Sequence, residues 1–157
     1  MKIGVIGDTH GDQLAIRRAV AAVGEVAMWL HTGDYSQEGE YLAQVTGLPV
    51  TVAAGNCDGH TTAKVDEFLE IAGKRIWLTH GHRYRVKYGL QELEWWGRQY
   101  NADIVVYGHT HIADLVRYSD MILFNPGSAA QPRWNKSTCG LLEITQEGNI
   151  DAKIIEL

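Results

Sequence analysis

The chain has 157 residues, enough for one domain (1–157) with a real core, and its 45% apolar and 21% charged residues are those of an ordinary globular protein. A formal charge of -5 excludes the surplus of Lys and Arg with which proteins grip a nucleic-acid backbone, so no stable nucleic-acid binding is expected. The two cysteines, Cys57 and Cys139, form no close pair, no stretch approaches the ~20 apolar residues of a membrane span, and no signal-peptide pattern is present, so the expected compartment is the cytoplasm.

In chain order, Ile3 to Ile6 is a short apolar run that reads as a buried strand. Asp12 is placed to cap a helix whose apolar face is Ile16, Ala19, Val20 and Val23. Val26 to Leu30 reads as a strand, Gly39 to Val45 as a short helix and Pro49 to Ala53 as a third strand. Val65 to Ile71 and Ile76 to Leu78 read as strands joined by a turn at Gly73-Lys74. Leu90, Leu93, Trp96 and Tyr100 share one helix face, while Trp95 points away from it and marks a candidate homodimer contact. Ile104 to Tyr107 is another buried-type run, and Ile112 to Tyr118, Met121 to Phe124, Gly140 to Ile144 and Ile150 to Ile155 are strand-like. The expected class is α/β, with two packed sheets flanked by helices.

Five times a β-type run ends and a metal-ligand type of residue follows at once: Gly7-Asp8, Gly33-Asp34, Gly55-Asn56, Thr79-His80 and Gly108-His109. Strand ends form the crevice where α/β sheets bind ligands. Two of these positions extend to i+2 pairs, Asp8-Thr9-His10 and His109-Thr110-His111, whose side chains face one way in an extended segment. Any one of these residues alone reads as a turn residue or a cap. Together they offer too many ligands for one tetrahedral zinc and suit two metals sharing a carboxylate. A shell of nitrogen and oxygen suits Mn, Fe, Zn or Ni.

The ordered blocks Asp8-Thr9-His10-Gly11, Gly33-Asp34, Gly55-Asn56-Cys57-Asp58, His80-Gly81-His82 and Gly108-His109-Thr110-His111 resemble the motifs of the calcineurin-like metallophosphoesterases. Asn125-Pro126-Gly127-Ser128 adds a segment similar to the small prokaryotic branch, the YfcE-type phosphodiesterases. The resemblance implies a four-layer α/β/β/α sandwich of two mixed sheets flanked by helices. It implies two divalent metal ions, manganese foremost. Asp8, His10, Asp34 and His111 would hold the first, and Asp34, Asn56, His80 and His109 the second, with Asp34 bridging. The expected activity is hydrolysis of a small phosphodiester by a hydroxide bridging the two ions. A phosphomonoesterase with the same metals is the alternative, as is a non-catalytic scaffold resembling the retromer subunit of eukaryotes.

Many larger members of the superfamily carry His directly after the ligand Asn, where Cys57 stands here, so the general acid is open. Cys57 reads as a small buried residue beside a ligand. Asn56 can bind a metal through its carbonyl and offer its amide to the phosphate, and His82 is the candidate phosphate contact or proton donor. Asp58 is expected to bond within its own turn and fix Asn56. Asn125 and Ser128 are expected to build a tight loop near the metals. Arg83, Arg85 and Lys87 form a basic run that reads as a solvated surface able to attract an anion.

Overall fold

The computed structural model describes residues 1–134 and 136–157. Among these residues the apolar runs become ten strands: β1 (Lys2–Ile6), β2 (Met28–His31), β3 (Val50–Val52), β4 (Asp66–Ile71), β5 (Lys74–Thr79), β6 (Ile104–Val106), β7 (Ala113–Arg117), β8 (Ile122–Pro126), β9 (Thr138–Ile144) and β10 (Ile150–Glu156). Among the described residues they are accompanied by the α-helices α1 (Gln13–Val23), α2 (Glu38–Thr46) and α3 (Gln91–Gln99) and a 3-10 turn at His82–Tyr84. One sheet runs in the order β10-β9-β1-β2-β3 and the other β4-β5-β6-β8-β7. Each is mixed. In the first, β1, β2 and β3 are parallel, β9 is antiparallel to β1, and β10 is antiparallel to β9. In the second, β5, β6 and β8 are parallel while β4 and β7 are antiparallel edges.

Period-two alternation decides the layers. Ile3, Val5, Met28 and Leu30 on the first sheet meet Ile76, Leu78, Ile104, Val106, Ile122 and Phe124 on the second, forming the central core. The opposite face of the first sheet, with Ile6 and Trp29, packs on Ile16 and Ala19 of α1 and Leu42 of α2. The outer face of the second, with Trp77, Val105 and Leu123, packs on Leu93 of α3. The result is the four-layer α/β/β/α sandwich. No helix is long and apolar enough to cross a membrane among the described residues.

Local signals behave as their chemistry requires. The Asp12 carboxylate accepts the Ala15 amide at 2.9 Å and caps α1. Ala72 and Gly73, with φ of 49° and 73°, make the tight turn of the β4–β5 hairpin, whose register pairs Ile71 with Lys74. Strand β2 starts two residues later than expected and carries His31 inside the sheet. The expected face of α3 is only partly right. Leu93 and Gly97 are its buried residues, whereas Leu90 lies at the N-cap and Trp96 is 37% exposed, stacked on Tyr100. Trp95 is 54% exposed and meets Trp96 edge-on.

Phe124 is fully buried between the two sheets. Phe124→Ala is expected to cost about 3–5 kcal/mol in urea unfolding followed by tryptophan fluorescence. A loss below about 1 kcal/mol would show that the sheets do not pack through this ring.

Candidate metal centre

The parallel strands of both sheets end at the same edge of the sandwich. Asp8 and His10 follow β1, Asp34 follows β2, Asn56 follows β3, His80 follows β5, and His109 and His111 follow β6. Their side chains converge. Ligand atoms of Asp8, His10, Asp34 and His111 all lie within 4.8 Å of one another, as do those of Asp34, His80 and His109. Asn56 joins the second group, its Oδ1 lying 3.0 Å from His80 Nε2. Asp34 belongs to both groups through different atoms: Oδ2 is 3.8 Å from His10 Nε2 and Oδ1 is 3.4 Å from His80 Nε2. All seven residues singled out from the strand-end pattern are therefore brought together.

The backbone is bent to achieve this. Asp8, His10, Asp34, His109 and His111 all have left-handed φ, between 46° and 70°. Such conformations are uncommon for residues with a Cβ and collect at functional sites. Behind them, Gly7 and Gly108 approach the Thr32 hydroxyl so closely that a Cβ would fall 1.8 and 2.4 Å from Oγ1. This is the close packing that glycine before a ligand allows.

The hydrogen bonds around the cluster aim lone pairs inward. His80 Nδ1 donates to the Thr32 carbonyl at 2.9 Å, which turns Nε2 toward Asp34, Asn56 and His109. His111 Nδ1 donates to the Gln131 carbonyl at 2.7 Å, leaving its Nε2 toward Asp8 and His10. Asp8 Oδ2 accepts the His109 amide at 3.0 Å, but the buried Oδ1 has no partner among the described residues. An orphaned carboxylate oxygen and converging imidazole lone pairs demand a proton or a cation. This donor set fits divalent metal ions.

Titration follows from the same crowding. Burial pushes the Asp8 carboxyl up to about 6, against the pull of His80 and His111 and with the push of Asp34. Burial also works to raise Asp34, but hydrogen bonding and charge from His80 and the Cys57 amide hold it well below the usual carboxylate range. Burial lowers His80, yet Asp34 and Asp8 outweigh it, so its net shift is upward. Burial, with help from His80 and Lys87, drops His109 to about 4.

Neighbouring residues divide. His82 sits over the second group, its ring centroid 5.3 Å from His80 and 6.1 Å from His109, with a buried Nδ1 that lacks a partner among the described residues. Burial, His80 and Arg83 lower its pKa. Asp58 accepts from Gly55 at 2.8 Å within its own turn and also from Ser36 at 2.6 Å. Asn125 ties Gly108 and Thr110 together, and the Ser128 hydroxyl donates to the Asp8 carbonyl at 2.8 Å, so both build the loop beside the ligands. Cys57 is a correction. It is exposed rather than buried, and its amide donates to Asp34 Oδ1 at 2.9 Å. Arg85 is taken up by Glu92 at 3.9 Å, while Arg83 and Lys87 are exposed and form no ion pair among the described residues. Sequence reasoning missed His31 and Glu38, both buried beneath the ligands. An ionisable residue continuing an apolar strand was a usable signal for His31, and Glu38 gave none.

With this geometry in place, the comparisons with known proteins are specific. Residues 1–147 match the calcineurin-like phosphoesterase superfamily domain, and the chain belongs to that superfamily. A protein of Methanothermobacter thermautotrophicus named as a probable metallophosphoesterase is 36% identical, over 99% of this chain and 92% of its own. The phosphodiesterase YfcE of Escherichia coli K12 is 28% identical over 91% of this chain and 88% of its own. In fold the chain is also similar to Vps29 of Entamoeba histolytica solved with zinc, with a TM-score of 0.77, 24% identity and 99% of each chain covered.

Protons and cations compete for the same atoms. Asp8 holds its proton up to about pH 6 in the metal-free fold, above the ~3.9 of a free side chain, so a cation must displace it below that pH. The affinity for Mn²⁺ is expected to fall as pH drops through 6, with net proton release in calorimetric titrations run in buffers of different ionisation heat. Affinity that stays flat across this window would remove Asp8 from the site.

Proposed function

We propose that the protein is a phosphodiesterase that uses two divalent metal ions, Asp8, His10, Asp34 and His111 on one and Asp34, Asn56, His80 and His109 on the other. The observation that carries this reading is the carboxylate of Asp34, whose two oxygens face two separate ligand groups. Bound there, the pair of cations would supply an activated water and neutralise charge on the phosphate oxygens. Manganese is our choice of metal, and zinc, iron or nickel would fit the same donors.

The protein's own groups handle the rest of the substrate. Asn56 turns its Oδ1 to His80, and its Nδ2 donates to Cys57 Sγ at 3.6 Å, which leaves the second amide N–H for a phosphate oxygen. His82, its ring centroid 5.3 Å from that of His80 and 6.1 Å from that of His109, stands beside the second group and suits a phosphate contact or, once protonated, delivery of a proton to the leaving oxygen. The exposed Arg83 and Lys87 draw the anion to an otherwise acidic protein.

Protein loaded with Mn²⁺ is expected to cleave bis(p-nitrophenyl) phosphate faster than p-nitrophenyl phosphate. The reverse order would make it a phosphomonoesterase. Asp34→Ala and His109→Ala should each lower turnover by more than the about 100-fold typical of losing a group that only supports a ligand. Unchanged turnover in both would favour a non-catalytic scaffold.

His82→Ala should lower kcat by roughly 100-fold while calorimetric Mn²⁺ binding stays intact. Turnover equal to that of the parent would place His82 outside the reaction.

A further inference from the structure

The buried polar groups left unused by this chemistry form one chain of hydrogen bonds beneath the site. The Gly33 amide donates to His31 Nδ1 at 3.1 Å, which puts the imidazole proton on Nε2. That nitrogen lies 3.0 Å from Thr9 Oγ1 and donates to it. The Thr9 hydroxyl in turn donates to Glu38 Oε2 at 2.6 Å. The other carboxylate oxygen, Oε1, accepts the Gly11 amide at 3.0 Å. Thr9 and His31 are fully buried and Glu38 is 8% exposed. Each donor meets one acceptor, and backbone amides fix the direction at both ends.

The carboxylate of Glu38 therefore holds the residues on both sides of His10. Such a clamp answers a mechanical need, because His10 has φ of 46° and a strained residue persists only where its surroundings over-determine it. Glu38 stands at the first position of α2, where the helix N-terminus favours its negative charge, so the clamp is anchored to a rigid element.

We propose that Glu38, acting through Thr9 and Gly11, is a positioning residue that sets His10 for the first cation. The inference rests on the metal reading given above. Glu38 never reaches the ligand atoms itself. Its own two bonds, to Thr9 and Gly11, fall on the loop that carries His10, a residue used by only one of the two groups.

The test is a calorimetric titration of the metal-free protein with Mn²⁺, alongside its melting temperature. Glu38→Gln places an amide NH₂ where an acceptor is required, whichever way the amide turns. Thr9→Val removes the hydroxyl at nearly constant shape, and Thr9→Ser retains it. The parent protein is expected to take up two Mn²⁺. Glu38→Gln and Thr9→Val are expected to weaken one binding step by about 10–100-fold, and by more than the other step, while Thr9→Ser restores it. Unchanged steps in both variants would overturn the proposal. So would equal weakening of both steps together with a melting loss that Thr9→Ser shares, which marks a merely structural role. If Glu38→Gln fails to fold, the two Thr9 variants decide the matter. Parent protein that takes up fewer than two Mn²⁺ would defeat the metal reading itself, whereas two ions in the parent and unaltered variants defeat the Glu38 proposal alone.

Discussion

Electrostatic crowding at one edge of the sandwich governs the rest of the structure. Two carboxylates, four imidazoles and one amide oxygen aim acceptors into a space with too few donors. Left alone, such a cluster opposes folding, since buried lone pairs need a proton or a cation. The chain concentrates this cost by giving five of the seven residues left-handed backbone. What offsets it is the apolar packing of three layers, in which Phe124 is buried between the sheets and Trp29 and Trp77 are buried under the helices.

The arrangement also explains why the ligands look so simple in the chain. Parallel strands put their carboxyl ends at the same edge, so a ligand placed directly after each strand arrives there without further guidance. Carbonyls of Thr32 and Gln131 then choose the imidazole tautomers of His80 and His111. The chemistry thus depends on backbone atoms as much as on the ligand side chains, and Thr32 matters twice, through its carbonyl and through the glycines crowding its hydroxyl.

Much of this was legible in advance because the signal was local. Gly7-Asp8, Gly33-Asp34 and Gly108-His109 pair a strand end with its ligand in adjacent residues, and the hairpin turn at Gly73 is equally local. Thr9, His31 and Glu38 were not legible, because their contacts join residues 22 and 29 apart and exist only after β1, β2 and α2 assemble. Cys57 misled for a related reason. A small apolar residue beside a ligand reads as buried, but Cys57 lies on the turn that Asp58 closes, exposed at the rim with its amide on Asp34. Trp96 shows the limit of helical periodicity. On a helix of nine residues the face can be inferred, but the width of sheet available to cover it cannot.

The division of ligands between layers has a mechanical consequence. Asp8, His10, Asp34 and Asn56 stand on one sheet, His80, His109 and His111 on the other, and each ligand group draws from both. A cation seated in either group would rivet the two sheets together at their rim, adding its binding free energy to resistance against sliding or splaying. A change of side-chain volume deep between the sheets would then be felt at the rim as a misfit of bond lengths, far from the residue altered.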